Sequence, residues 1–297
     1  MKMNGWQRLT CIAIASAVLL SWPGAAMAAD VDLDGIDDAQ ETTGGVTFNG
    51  VVIPPCSGTP APGAARNACV SPSSKDIFVY LVTAPGGGFL GTAPAPTGCS
   101  SLLAADCLFK FVNEPATSTG TGKVDGLNMG VHVAYVTTSA VACQIPTEVV
   151  PIGSRGVGTL GQLAVQIIAD DCPDSFVFGK ADQGTPTNTG NAWVWPVKIK
   201  NYVVNGGGTT ATWQTYLQRT FSHELSHVAA LIAVNNSSYG GYHYATGSGV
   251  VMDQSVVYNS KRKTFTIYTD FASGDRPCLL RVDGSNPLQC LDFIIID

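Results

Sequence analysis

Hydrophobic and polar positions along the chain form two kinds of pattern, one typical of strands and one typical of a helix. Residues 76–83 are almost continuously hydrophobic, with β-branched and aromatic side chains, and this predicts a strand buried on both faces. Residues 131–137 alternate in character, which predicts a second strand. Shorter runs predict further strands at 46–53, 163–168, 175–179, 192–200 and 201–204.

Between the glycines at 206–208 and Asn235 the pattern changes to the period of an α-helix. Hydrophobic residues spaced three or four apart fall within about 80° of one another on a helix. They are Leu217, Phe221, Leu225, Val228 and Ile232. The pattern predicts a helix over residues 213–234 with this stripe facing the core. We expect Thr209, Thr210 or Thr212 to cap its beginning and Asn235-Asn236 to end it.

These elements predict an α+β fold, in which a mixed sheet and one long helix are joined by loop-rich, disulfide-stapled chain. The chain has nine cysteines, and eight of them lie after residue 28. An even number in an exported chain indicates disulfides. Spacing favours four neighbouring pairs, Cys56–Cys69, Cys99–Cys107, Cys143–Cys172 and Cys278–Cys290. A cysteine-bound zinc is disfavoured because the sequence contains no C-x-x-C pair.

The first 28 residues have the pattern of a cleavable signal peptide. Lys2 and Arg8 precede a hydrophobic run over residues 9–20, and Ala26-Met27-Ala28 fits a cleavage site. A secreted or periplasmic location, in a bacterium, is therefore expected. No later segment is hydrophobic enough to predict a membrane span.

The charge of the chain disfavours two classes of partner. The net charge is −6 and the pI is near 5.1. An acidic protein is a poor partner for nucleic acid or an anionic membrane surface. The sequence gives no indication of an oligomeric state.

Residues 30–41 follow the spacing of a calcium-binding loop. Acidic side chains stand at positions 1, 3, 5, 9 and 12 of the motif, with Gly35 at position 6 and the Ile36 carbonyl available at position 7. The acids are Asp30, Asp32, Asp34, Asp38 and Glu41. The pattern predicts a Ca²⁺ ion with a structural role; the alternative is an acidic, disordered N-terminal tail.

The predicted helix carries the sequence His223-Glu224-Leu225-Ser226-His227, which is an H-E-x-x-H motif. Histidines four residues apart share one helix face and can bind one Zn²⁺. The zinc would activate a water, with Glu224 as the general base. The alternative is a solvated helix face that carries two histidines. His132, alone on a predicted strand, is expected to be a hydrogen-bonded structural histidine.

A hydrolytic zinc usually takes a third protein ligand. No glutamate follows Glu224, so the class of enzyme with a downstream glutamate ligand is excluded. His243, Asp253 and Asp270 remain as candidates. Three tyrosines are candidates for stabilising an oxyanion, namely Tyr242, Tyr244 and Tyr258.

The downstream sequence resembles the metzincin pattern, H-E-x-x-H-x-x-G-x-x-H followed by a methionine turn. Gly240-Gly241-Tyr242-His243 supplies the G-x-x-H, and Met252 follows. The glycine comes thirteen residues after His227 instead of three. The resemblance implies an insertion, as in the leishmanolysin branch, a zincin-like fold, and His243 as the third ligand.

A second resemblance covers more of the chain. An acidic loop, the strand that begins in Lys75-Asp-Ile-Phe-Val79 and the H-E-x-x-H helix are similar to those of a type of secreted bacterial metzincin-like metalloprotease. The domain organisation expected from it is a calcium-loop segment at 29–45 and a catalytic domain at 46–297. Residues 46–74 are a linker or a pro-segment in this interpretation.

The favoured function is that of a secreted zinc endopeptidase acting on a protein or peptide substrate. Two alternatives stay open. One is a zinc hydrolase with a non-protein substrate, and the other is a non-catalytic, disulfide-stapled surface or adhesion module.

Overall fold

A five-stranded mixed sheet forms the centre of the protein in the computed structural model. The structure describes residues 29–32, 34–84, 89–120, 122–140, 143, 145, 148–170, 177–181, 191–228, 251–252 and 256–272. The strands are β1 (Val46–Phe48), β2 (Val51–Ile53), β3 (Asp76–Thr83), β4 (Ser118–Gly120), β5 (Lys123–Val124), β6 (Gly130–Thr137), β7 (Gly156–Val157), β8 (Gln162–Leu163), β9 (Val165–Ala169), β10 (Gly179–Ala181), β11 (Asn191–Val194), β12 (Val257–Asn259), β13 (Thr264–Thr266) and β14 (Phe271–Ala272).

The strand order of the central sheet is β10-β11-β9-β3-β6. Strands β11, β9, β3 and β6 run parallel, whereas β10 pairs antiparallel with β11. Strand β3 lies in the interior of this sheet and is buried along almost its whole length, as its continuous hydrophobicity predicts. Together with the helices, the sheet confirms the α+β class.

Helices flank the strands in the chain. They are α1 (Phe89–Thr92), α2 (Ala105–Leu108), α3 (Lys110–Asn113), α4 (Pro196–Asn205) and α5 (Thr210–Val228). Short 3₁₀ helices lie at Gly63–Ala68 and Ile152–Ser154, and a π-helical turn lies at Gln40–Gly44. None of the helices in the described part of the chain is long and apolar enough to span a membrane.

Successive side chains of β3 point to opposite faces of the sheet and pack into two hydrophobic clusters. The first cluster contains Ile77, Val79 and Leu81, together with the stripe of α5. The second contains Phe78 and Tyr80, together with Ile36, Val46 and Phe48 from the N-terminal region. The long helix and the N-terminal segment therefore lie on opposite faces of the sheet.

Helix α5 agrees with the predicted helix and begins three residues earlier than expected. The Thr212 N–H donates to the Thr209 hydroxyl at 3.2 Å, which identifies Thr209 as the cap. The predicted stripe is buried at Leu217, Phe221 and Leu225, and also at Val228. Ile232 and Asn235-Asn236 lie outside the described residues.

Two predicted strands are wrong where the chain forms helix α4. The strand predicted at 192–200 ends at Val194, and residues 201–204 are helical. Pro196 occupies the first turn, where a missing N–H costs nothing. Ile199 and Val203, four residues apart, are both fully buried. Helical spacing of two β-branched residues therefore outweighed their strand propensity.

The region at 46–75 contains more structure than its composition predicts. Residues 46–53 form a hairpin of β1 and β2 in place of one strand. Asn49 and Gly50 form its turn, both with positive φ, which is the typical two-residue hairpin turn. Farther along, the chain forms the 3₁₀ helix Gly63–Ala68, which carries the buried Arg66.

The other predicted strands agree in part. Strand β6 confirms 131–137, and β8 and β9 together cover 162–169 apart from a break at Ala164. Of residues 175–179, Gly179 belongs to β10, and 175–176 lie outside the described residues.

Two of the predicted disulfides are formed, Cys56–Cys69 and Cys99–Cys107. Cys143 is also disulfide-bonded, to a cysteine outside the described residues. The pair Cys278–Cys290 lies wholly outside them.

Candidate metal centres

His223 and His227 project from adjacent turns of α5, and their rings are in edge-to-face contact. Their Nε2 atoms are 3.1 Å apart, and the ring planes meet at 87°. Two nitrogens bound to one tetrahedral zinc at about 2.0–2.1 Å would lie about 3.3 Å apart. The two Nε2 atoms are therefore spaced as ligands of a single metal ion.

The main chain around Met252 sets the protonation of His223. The His223 Nδ1 lies 2.8 Å from the carbonyl oxygen of Val251, and a carbonyl can only accept. Nδ1 therefore carries the proton, and Nε2 offers its lone pair. The Val251 N–H donates to the Asp270 carbonyl at 2.6 Å, which holds this turn. Met252, 1% exposed, packs in the first hydrophobic cluster.

Glu224 lies beside the two histidines on α5 and is 5% exposed. Burial raises the pKa of its carboxyl to about 8, against an opposing effect of Arg219. Strand β10 passes close to it, because a Cβ on Gly179 would overlap the Glu224 carboxylate. His223 is 4% exposed and His227 is partly exposed, so this face of the helix is only in part open to solvent.

Of the candidates for the remaining zinc-site roles, Asp270 and Tyr258 are among the described residues. His243, Asp253, Tyr242 and Tyr244 lie outside the described residues. The Asp270 carboxylate accepts from the Thr119 hydroxyl at 2.8 Å in an exposed position.

Tyr258, the third candidate for stabilising an oxyanion, has another bond in this structure. Its hydroxyl donates to the carbonyl of Gly206 at 3.1 Å, and its ring stacks on Phe265. This bond uses the proton that an oxyanion would need.

A second cluster of metal-binding residue types is formed by the acidic N-terminal loop. Carboxylate oxygens of Asp30, Asp32 and Asp34 lie within 4.8 Å of one another, and so do those of Asp34, Glu41 and Asp76. The calcium motif does not include Asp76. The sequence signal for its role is its position at the beginning of a hydrophobic strand.

Two of the predicted calcium ligands have other contacts. The Asp38 carboxylate accepts from the Val31 N–H at 3.0 Å and belongs to neither group of converging acids. The Ile36 side chain is fully buried, and its N–H donates to Asp34 at 2.8 Å. The use of the Ile36 carbonyl as a ligand stays a prediction.

The acidic side chains of this cluster are shifted strongly towards their protonated forms. Burial, and then the charges of Asp76 and Asp30, raise the pKa of Asp32 to about 7. Burial, and then neighbouring carboxylates, raise the pKa of Glu41 to about 10 and that of Asp34 well above its ordinary value. The cause is a group of like charges taken out of water.

A buried polar network joins the acidic cluster to the sheet. The Arg66 guanidinium donates to Asp76 Oδ1 at 2.9 Å and Oδ2 at 3.0 Å. His132 Nε2 lies 2.5 Å from Asp76 Oδ1, and its Nδ1 lies 3.0 Å from the Asn67 carbonyl. These bonds confirm His132 as a structural histidine. The Ser71 N–H also donates to Asp76 Oδ2, so each carboxylate oxygen accepts twice.

A cavity of about 540 Å³ lies away from both clusters. It opens beside the N-terminal half of α5, between Gln214 and Gln218 on one side and Lys110 and Glu114 on the other. Neither histidine of the motif nor Glu224 lines it, so the cavity is not the site around which the histidines converge.

Comparison with known proteins adds no relative. The chain matches no protein-family model, and a search of curated proteins gives no significant match.

Proposed function

We propose that the protein is a secreted, zinc-dependent endopeptidase in which His223 and His227 hold the metal and Glu224 is the general base. The observation that carries the proposal is the 3.1 Å approach of two imidazole Nε2 atoms beside a buried glutamate. Ionisable groups gathered in one place, with a buried carboxyl among them, are candidates for a functional site. His243 is proposed as the third ligand from the sequence pattern.

The residues present fit a zinc ion. The Val251 carbonyl holds the proton of His223 on Nδ1, which leaves Nε2 as a donor of electrons to a metal. When bound, zinc would supply a Lewis acid that polarises a substrate carbonyl and acidifies a water molecule.

Glu224 would move the proton in the proposed reaction. As a carboxylate it would accept a proton from the attacking water and deliver it to the departing amine. Its burial keeps bulk water from competing for that proton. Gly179 lets β10 approach the carboxylate closely, because a side chain there would overlap it.

Strand β10 supports a peptide substrate over other substrates. Within the described part of the chain it pairs on one side only, with β11. An extended peptide can add to such an edge through main-chain hydrogen bonds. A peptide paired along β10 would pass the Glu224 carboxylate beside Gly179.

Digestion of a peptide library tests the proposal. We expect the purified protein to cleave internal peptide bonds, to stop when a zinc chelator is added, and to recover when zinc is restored. Absence of cleavage, or cleavage unaffected by the chelator, would contradict it.

A further inference from the structure

Glu41 is a buried carboxylate without a partner. The residue is 1% exposed, and neither carboxylate oxygen meets a hydrogen-bond donor among the residues that the structure describes. Both carboxylate oxygens of Asp32 are likewise buried without a donor there. Buried polar atoms are almost always paired, so four such oxygens in one place indicate a missing positive charge.

The unpaired oxygens belong to two groups of acids that share Asp34. Asp32 groups with Asp30 and Asp34, and Glu41 groups with Asp34 and Asp76. The charge of Asp76 is balanced by Arg66, which binds both of its oxygens. Among the loop acids, the positive charge of Lys75 acts on Asp32, whereas the charges that act on Glu41 are those of other acids. Burying a charge without a counter-charge is costly.

The main chain holds the other two acids in place for a ligand. Asp30 accepts from the N–H groups of Asp34 at 3.1 Å and Gly35 at 2.9 Å, one on each oxygen. Asp34 accepts from the N–H groups of Ile36 at 2.8 Å and Asp76 at 2.6 Å, again one on each oxygen. A carboxylate oxygen has two lone pairs, so all four oxygens keep one for a cation.

We propose that Asp30, Asp32, Asp34 and Glu41 hold a Ca²⁺ ion that fastens the N-terminal loop to the beginning of strand β3. Carboxylates alone form a set of hard oxygen ligands, which favours Ca²⁺ over transition metals. Four carboxylates on one ion leave few positions for water, which favours Ca²⁺ over Mg²⁺, because Mg²⁺ usually retains several waters.

The ion is connected to the sheet through Asp34. One Asp34 oxygen accepts from the Asp76 N–H, across 42 residues of chain. The acceptor positions of the Asp76 carboxylate are filled by Arg66, His132 and Ser71, so Asp76 contributes its N–H to the connection. Ile36, two residues after Asp34, packs into the second hydrophobic cluster. Loss of the ion would leave the carboxyl groups of the loop without a cation next to this hydrophobic cluster.

Calcium titration into the full mature chain tests the proposal, with zinc held constant in buffer freed of calcium. We expect one Ca²⁺ per chain by calorimetry and a rise in Tm of about 5–10 °C at a hundredfold excess over Kd. Glu41→Gln and Asp32→Asn should each abolish most of the rise. Asp37→Asn, a neighbouring acid outside both groups, should keep it.

The calcium-free state distinguishes a ligand from a merely structural residue. Without calcium, Glu41→Gln should unfold at the same temperature as the unsubstituted protein or higher, because the substitution removes a buried acid whose ionised form has no counter-charge. Equal Tm with and without calcium in the unsubstituted protein would overturn the proposal, as would a calcium-dependent rise that Glu41→Gln retains. The same titration in His223→Ala gives the answer independently of the zinc hypothesis.

Discussion

The histidine pair and the acidic loop lie on opposite faces of one sheet. They differ in whether their polar atoms find hydrogen-bond partners within the protein. Neutral imidazoles can hydrogen-bond to each other, and His223 is further held by a main-chain carbonyl. Carboxylates cannot pair among themselves, and those of Asp32 and Glu41 meet no donor in the described structure. Zinc is therefore expected to supply chemistry to a fold that exists without it, whereas calcium supplies stability.

The largest effect on stability is expected where the acidic loop meets the sheet. Arg66→Met would leave the buried Asp76 carboxylate with only His132 and Ser71 as partners, and we expect the free energy of unfolding in urea to fall by about 3–5 kcal/mol. Arg262→Met, on the exposed surface, should change it by less than about 0.5 kcal/mol. A fall of less than about 1 kcal/mol in the free energy of unfolding of Arg66→Met would mean that the Arg66–Asp76 pair does not connect the acidic loop to the sheet as described.

His227 and His132 should separate metal binding from stability. His227→Ala is expected to lower zinc affinity by at least about a hundredfold, at nearly unchanged Tm in zinc-free buffer. His132→Ala should lower Tm and leave zinc affinity nearly unchanged, because Asp76 and the Asn67 carbonyl each lose a hydrogen-bond partner. Equilibrium dialysis and calorimetry measure both quantities, and equal loss of zinc in the two variants would remove the distinction.

The smallest expected effect is at Asp38, where sequence and structure disagree. The calcium motif assigns Asp38 a ligand position, but its carboxylate accepts from the Val31 N–H. Asp38→Asn keeps an acceptor for that bond, so we expect calcium affinity to change by less than about threefold. A loss as large as that of Glu41→Gln would restore the assignment made from the motif.

Local patterns predicted both clusters because each is compact in sequence. His223 and His227 need only one turn of helix to meet, and Asp30, Asp32 and Asp34 need only one loop. What the sequence could not predict depends on contacts across the fold. Asp76 joins the acidic cluster from 42 residues away, and Gly179 comes to Glu224 from another strand.

Local propensity also misled where tertiary packing decided the conformation. Ile199 and Val203 suggested a strand, yet they are buried on one face of helix α4. Arg66 stands in a run rich in glycine, proline and alanine, a composition typical of loops. Its burial follows from its pairing with Asp76, which no short pattern contains.

The most direct test of the central claim is the hydrolysis rate of Glu224→Gln on a cleavable peptide, with zinc content measured in the same sample. We expect the rate to fall by about 10²- to 10⁴-fold while zinc stays at one per chain. Glu114→Gln is the matched control, since Glu114 is a half-buried glutamate beside the separate cavity. Full turnover in Glu224→Gln, with zinc still bound, would contradict the account.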